Sequence, residues 1–275
     1  MQSPTVKLND GRHIPQLGMG VYQIPDETLP DVIASGVELG YRLIDGAFFY
    51  DNEKGMGEGV RNAPAPREEL FVTSKVWTSD HGFDRARRAI EHSVKTTGLG
   101  YLDLMLIHWP CPQKNLYVET WKALISARED GLVKSIGVSN FYPDHLDRLI
   151  EETGVTPVLN QIELHPRMQQ VTMRVENEKR GVLTQSWTPL GRGAAFDSQI
   201  IETIAARTGK TPAQVVLRWH MELGASAIPR SHRPERLAEN IDIFDFQLTA
   251  SDMDTISALD TGTRIGPDPL EFEGF

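Results

Sequence analysis

Four residues in the first half of the chain have types and positions suited to moving a proton. Asp45 ends the apolar run "RLID", and Tyr50 follows five positions later in "GAFFYDNE". Lys75 closes "FVTSK" and His108 closes "LDLMLIH". A phenol ordinarily titrates at about 10. An ammonium beside it favours the phenolate and lowers that value, so Tyr50 next to Lys75 is expected to give a proton to a developing alkoxide near neutral pH. Asp45 would pair with Lys75 and hold it in place, and His108 would donate a hydrogen bond to a substrate carbonyl. Taken singly, each has a plainer use. Asp45 reads as a turn or cap residue, Tyr50 as packing, Lys75 as a solvated edge charge, and His108 as a core or rim histidine. The signal lies in the joint pattern, in which all four sit at or just past the ends of successive strand-like runs.

Those runs recur along the chain. They are "LGMG" (17–20), "RLIDGA" from Arg42, "LFVTSKV" from Leu70, "LDLMLIHW" from Leu102, "KSIGVSN" from Lys134, "VLNQIEL" from Val158, "GVLTQSW" from Gly181 and "SAIPRS" from Ser226. Several are nearly continuous in apolar residues, as suits a parallel strand buried on both faces. Helix-like segments separate them. "DETLPDVIASGVELG" stops at Gly40, "DRARRAIEHSVKTTGLG" at Gly98 and Gly100, and "TPAQVVLRWHMELG" starts with Thr211 as N-cap and Pro212 at its first position and closes on Gly224. Asn9-Asp10-Gly11 marks a hairpin ahead of them. Strands alternating with helices imply parallel βαβ units. An open nucleotide-binding sheet would carry Gly-x-Gly-x-x-Gly after its first strand, and the nearest approach, "GMGEGV" (55–60), follows an acidic turn. The expected architecture is therefore a (β/α)8 TIM barrel with an N-terminal β-hairpin, as one domain over 1–275. In such a barrel the polar strand ends meet at one mouth.

Composition narrows the partners. The net charge of −10 over 275 residues opposes a broad nucleic-acid surface and an acidic membrane. Cys111 is the single cysteine, so no intrachain disulfide forms. The opening "MQSPTVKLNDG" lacks a signal-peptide pattern, and no apolar run reaches membrane-span length. A cytoplasmic protein is expected. Against the acidic background, Arg230, His232, Arg233 and Arg236 form a basic cluster suited to a phosphate.

With these motifs in view, the chain resembles the aldo-keto reductase family over nearly its whole length. "GYRLIDGAFFYDNE" (40–53) is similar to the family pattern Gly-Tyr-Arg-x-Ile-Asp-Thr-Ala-x-x-Tyr-x-Asn-Glu. "LDLMLIHWP" (102–110), "SIGVSNF" (135–141), "NQIELHP" (160–166) and "IPRSHRPERLAEN" (228–240) follow in the family's order. The closest likeness is to short bacterial members such as the 2,5-diketo-D-gluconate reductases. The resemblance implies a barrel that binds NADPH without a Rossmann motif. It implies Tyr50 as general acid, Lys75 as the partner that tunes it, Asp45 as the partner of Lys75, and His108 orienting the carbonyl. Ser139, Asn140 and Gln161 would hold the nicotinamide carboxamide, Trp187 would stack on its ring, and Leu190 would line the cofactor. Arg230, Ser231 and Arg236 would take the 2′-phosphate, with Glu239 and Asn240 facing the adenine. Three positions depart from the pattern: Gly46 where Thr is usual, Arg230 for Lys, and Trp187 where Tyr is common. Gly46 is expected to loosen the backbone beside the site.

Tyr22, Phe49, Trp77 and Trp109 are the expected apolar walls for a small-molecule carbonyl substrate, with "CPQKNLY" (111–117) bordering them; each could equally pack the barrel rim. Family likeness points to a monomer. Two other functions compete: a non-catalytic NADPH-binding subunit on the same fold, and a metal-dependent barrel hydrolase using Glu163 and His165.

Overall fold

The apolar runs become strands at the expected places. A computed structural model describes residues 3–274; Met1, Gln2 and Phe275, which the expected 1–275 domain and the reading of the N-terminus include, lie outside the described residues. The strands are β1 Thr5–Lys7, β2 His13–Pro15, β3 Met19–Gly20, β4 Leu43–Asp45, β5 Phe71–Val76, β6 Leu102–Ile107, β7 Val133–Ser139, β8 Leu159–Glu163, β9 Leu183–Trp187 and β10 Ser226–Ala227. β3 to β10 lie side by side in chain order, every neighbouring pair parallel. The sheet then closes on itself. Gly18 N–H donates to Ala227 O (2.9 Å) and Gly20 N–H to Pro229 O (3.1 Å), joining the first strand of the row to the last. A closed row of eight parallel strands with helices outside is the (β/α)8 barrel.

Among the described residues ten α-helices pack around it: α1 Leu29–Leu39, α2 Glu53–Asn62, α3 Phe83–Thr97, α4 Tyr117–Glu129, α5 Pro143–Thr153, α6 Val171–Lys179, α7 Gln199–Thr208, α8 Pro212–Glu222, α9 Pro234–Ile241 and α10 Ala250–Ser257. Gly40 (φ 109°) ends α1 and Gly98 (φ 64°) ends α3 in the left-handed conformation that glycine adopts without strain. Thr211 opens α8 in a reciprocal capping box with Gln214. The stretch "GMGEGV" lies inside α2. There Gly57 meets the backbone of Thr97 on α3, and Gly59 meets Ile33 on α1, so closely that a Cβ would collide. These glycines serve helix packing.

The hairpin β1–β2 plugs one end of the barrel. Leu8 and Ile14 pack with Leu43, Leu104, Leu106 and Leu159 in the lumen. The Asn9 side chain donates to Pro157 O (2.9 Å) and Gly181 O (3.1 Å), just ahead of β8 and β9. With the strands' N-terminal end sealed, the mouth at their C-terminal ends is the end left for chemistry. Among the described residues no helix is long and apolar enough to cross a membrane.

Candidate active site

Asp45 and Lys75 enter the lumen from neighbouring strands, since β4 pairs with β5 and Asp45 lies opposite Thr73. Two residues further along the same face, Lys75 Nζ donates to Asp45 Oδ1 (2.5 Å), to Gly46 O (2.8 Å) and, more loosely, to Tyr50 Oη (3.4 Å). Lys75 is 0% exposed and Asp45 1%. An isolated buried charge is costly, and these acceptors compensate the ammonium. Tyr50 ends the 3₁₀ turn Phe48–Tyr50 that leaves β4. His108 directly follows β6, where its N–H extends the ladder to Val76 O (3.1 Å). Its ring lies 5.9 Å, centroid to centroid, from that of Tyr50 and stands edge-on to it. The four residues therefore meet at one point of the mouth.

Their protonation follows from burial. Burial pushes the Asp45 carboxyl up, while Lys75 and the Gln161 amide draw it back down. Burial pushes Lys75 down against the pull of Asp45. Burial and the adjacent Lys75 hold His108 well below its ordinary value, so its imidazole is neutral, and its Nδ1 is buried without a partner among the described residues. Tyr50 corrects the sequence expectation. Burial first, then Asp45 and Tyr22, raise the phenol well above its ordinary value. Lys75 spends its closest contacts on Asp45 and Gly46, and the phenol stays protonated.

Beside this cluster, a network ties Ser139, Asn140, Gln161 and Trp187 together. Trp187 Nε1 donates to Asn140 Oδ1 (2.8 Å), and Asn140 Nδ2 donates to His108 O and to Ser139 Oγ (both 3.0 Å). Ser139 Oγ donates to Gln161 O (2.8 Å). Indole is a donor only, so the Asn140 amide has a single consistent orientation. Asn140 itself is left-handed (φ 65°), a conformation that asparagine tolerates. Gln161 turns its side chain down the lumen, where Nε2 donates to Asp45 Oδ2 and to Gln185 Oε1 (both 2.7 Å).

The basic cluster sits at the start of α9, with Pro234 at its first position. Arg230, His232, Arg233 and Arg236 are exposed and Ser231 is buried. Arg230 donates to Gln23 Oε1 (3.0 Å), and Ser231 Oγ receives the Arg233 N–H (3.1 Å). Glu239 accepts from Thr211 Oγ1 (2.5 Å), so its carboxylate is held by α8's cap. Asn240 is buried. Leu190, on the loop after β9, packs half-buried against the core between strands and helices.

The aromatic walls do gather. Phe49 stacks on Trp77 at 3.9 Å, Trp77 stands edge-on to His108 at 4.9 Å, and Tyr22 lies 4.9 Å from Tyr50. Trp109 faces Trp187 at 6.5 Å. Cys111, from the loop expected to border the pocket, joins this cluster. Sequence reasoning missed Phe272, whose ring lies 4.5 Å from Trp109 and 6.1 Å from Trp77. It belongs to the tail beyond the last helix, where no periodic signal marks it. Glu163 and His165 do another job. The buried Glu163 carboxylate accepts from His165, from Ile265 N–H (2.6 Å) and from Gly266 N–H (3.0 Å), anchoring that tail.

Comparison with known proteins shows relatives over the whole length of the chain. The chain is 50% identical to methylglyoxal reductase DkgA of Escherichia coli (strain K12) over 100% of both chains. It is 48% identical to an aldo-keto reductase of Mycolicibacterium smegmatis over 98% of each. A crystal structure of a mutant of the protein called Gox0644, in complex with NADPH, superposes with a TM-score of 0.95 at 45% identity, covering 99% of both chains. Residues 15–261 match the model of the aldo/keto reductase family. On fold, site and sequence together, the chain belongs to the aldo/keto reductase family.

Proposed function

We propose that this protein reduces aldehydes and ketones to alcohols with NADPH, Tyr50 acting as the general acid. The convergence of Asp45, Lys75, Tyr50 and His108 at the barrel mouth carries the reading. The basic residues expected to meet the cofactor's phosphate suit it. Arg230, Arg233 and Arg236 make no ion pair among the described residues, in a chain of net charge −10. Exposed guanidinium groups at a helix start match a phosphate monoester. Trp187 offers an indole face at the mouth, and relatives of the chain bind NADPH or NADP.

Bound NADPH supplies the hydride. The protein's part is to place the carbonyl and receive the charge that develops on its oxygen. Neutral His108 offers a hydrogen bond to that oxygen without competing as an acid. Tyr50 Oη gives the proton. Its raised value does not forbid this, because an alkoxide is a far stronger base than a phenolate. Lys75, fixed by Asp45 and Gly46, keeps a positive charge beside the phenolate as it forms. Phe49, Trp77, Trp109 and Phe272 keep water from the reacting carbon. We take the protein to be a cytoplasmic monomer whose substrates include small 2-oxoaldehydes, in line with the relatives named methylglyoxal reductase.

The test is NADPH oxidation with a panel of carbonyls, methylglyoxal and a nitrobenzaldehyde among them, run in parallel with NADH. Tyr50→Phe should lower kcat by about 10²- to 10⁴-fold and leave NADPH binding nearly intact. Full activity in that variant would remove Tyr50 from the role. NADPH binding without turnover of any carbonyl would instead mark a non-catalytic subunit.

A further inference from the structure

Gln185 takes no part in the chemistry above, yet it is fully buried in the lumen directly below the site. The registers of β8, β9 and β10 put it there. Gln161 pairs with Gln185, and Gln185 pairs with Ser226, so three polar side chains stand in one row across neighbouring strands. All three are buried: Gln161 is 2% exposed and the others 0%.

The row has a direction. Pro15 O can only accept, and the Ser226 hydroxyl points to it at 3.5 Å. Ser226 Oγ is then open to accept from Gln185 Nε2 at 3.0 Å. That turns Gln185 Oε1 toward Gln161, where it accepts one amide N–H at 2.7 Å. The other N–H of Gln161 goes to Asp45 Oδ2 at 2.7 Å. Asp45 thus has two donors, Lys75 on one oxygen and Gln161 on the other. Gln161 has a competing destination, since it ends at the mouth, where a carboxamide or carbonyl would attract its amide. Its second N–H, held by Gln185, adds to the pull of Asp45 in keeping it down the lumen.

We infer that Gln185 is a positioning residue of the proton-donating site: it holds the Gln161 amide against Asp45 and so fixes the Asp45–Lys75 pair beneath Tyr50. The inference rests on the roles proposed above for those three residues. The titratable groups around Asp45 are Lys75 on β5, Tyr50 on the turn after β4 with Tyr22 beyond it, and His108 after β6. Gln161 is the neutral donor among them, and its hydrogen bond stabilises the charged form of Asp45 against burial.

Two variants test this. Gln185→Leu keeps the volume and removes both polar ends. Gln185→Glu, kept neutral by burial and by the nearby Asp45 charge, restores an acceptor for Gln161 and a donor for Ser226. The measurements are kcat and KM across pH, and the titration of the Asp45 carboxyl followed by its ¹³C shift, which needs no turnover. Gln185→Leu should lose roughly tenfold in kcat, the scale of one hydrogen bond to a charged group, with KM changed much less. Its Asp45 titration and the acidic limb of its rate profile should both move to higher pH. Gln185→Glu should return all three toward wild type. A folded Gln185→Leu protein with wild-type kcat and an unmoved Asp45 titration would overturn the inference. If Gln185→Leu does not fold, Gln185→Glu decides: a wild-type Asp45 titration supports the role, and a shifted one refutes it. A wild-type protein inactive on every carbonyl would sink the functional proposal alone, because the carboxyl titration still reads the link between Gln185 and Asp45.

Discussion

Met56 occupies the space that a side chain on Gly46 would need: a Cβ there would lie 2.5 Å from Met56 Sδ and 3.1 Å from its Cε. The backbone at Gly46 is not loose, contrary to what glycine next to Asp45 suggests. Its N–H donates to Thr73 O (3.0 Å) and its carbonyl receives Lys75 Nζ (2.8 Å). A side chain here would have to displace the flexible end of Met56, which is itself buried in the core. Gly46→Thr should therefore destabilise the protein by about 1–3 kcal/mol, the usual range for overpacking, and lower kcat by shifting the carbonyl that holds Lys75. Met56→Ala in the same chain should recover part of both. Melting temperatures and kcat of the two singles and the double give the coupling; strictly additive effects would contradict the contact.

Removing the ammonium should cost stability as well as activity. In Lys75→Met, Asp45 remains buried with Gln161 as its remaining donor, and a buried charge stripped of its partner costs about 3–5 kcal/mol. The carboxyl then takes up a proton on folding. The folded protein binds more protons than the unfolded one, so this variant's stability should rise as pH falls toward the ordinary carboxylate range. Asp45→Asn combined with Lys75→Met should be more stable than Lys75→Met alone. Urea unfolding at two pH values measures both effects.

The basic cluster should set the choice of cofactor. Arg236 is exposed and makes no ion pair among the described residues, so its guanidinium is available to a 2′-phosphate. Arg236→Ala should weaken NADPH binding by roughly ten- to a hundredfold, the worth of a charge-assisted contact, and leave NADH binding nearly unchanged. Fluorescence titration with both nucleotides checks this, and raising the salt should reduce the wild-type preference for NADPH. Equal losses for the two nucleotides would mean that Arg236 holds some other part of the cofactor.

Much of this was legible in the chain because strand ends in a parallel barrel share one mouth. Asp45, Lys75 and His108 could be brought together from three apolar runs and the polar residues that close them, with Tyr50 just beyond the first. Their electrostatics could not. The direction of the Tyr50 shift depends on which acceptors Lys75 prefers and how deeply the phenol is buried, and neither is local in sequence. Phe272 was hidden because the tail that carries it has no periodicity, and its position depends on Glu163, about a hundred residues earlier. Gln185 was hidden because a polar residue inside a strand shows its partner only through register, here Gln161 on one side and Ser226 on the other.

Two buried histidines outside the proton-donating cluster should make the fold sensitive to acid. Burial, aided by Lys114 and Arg85, draws His81 down to about 4, and burial draws His220 down to about 3 despite its contact with Pro189 O. In the unfolded chain each titrates at about 6.5. Between that value and the folded one, the unfolded chain binds protons that the folded protein refuses. Their contribution is therefore complete above about 6.5 and declines as pH falls. At pH 5 the loss is about 2 kcal/mol for each. The buried carboxyls of Asp45 and Glu53 and the half-buried one of Asp103 are raised and act in the opposite sense, so the wild-type slope alone does not isolate the histidines. The difference between wild type and His220→Gln does, since a glutamine amide can still donate to Pro189 O but takes up no proton. The variant should lose about 2 kcal/mol less than wild type between pH 7 and pH 5 in urea unfolding. Parallel losses would show that His220 charges within the fold at little cost.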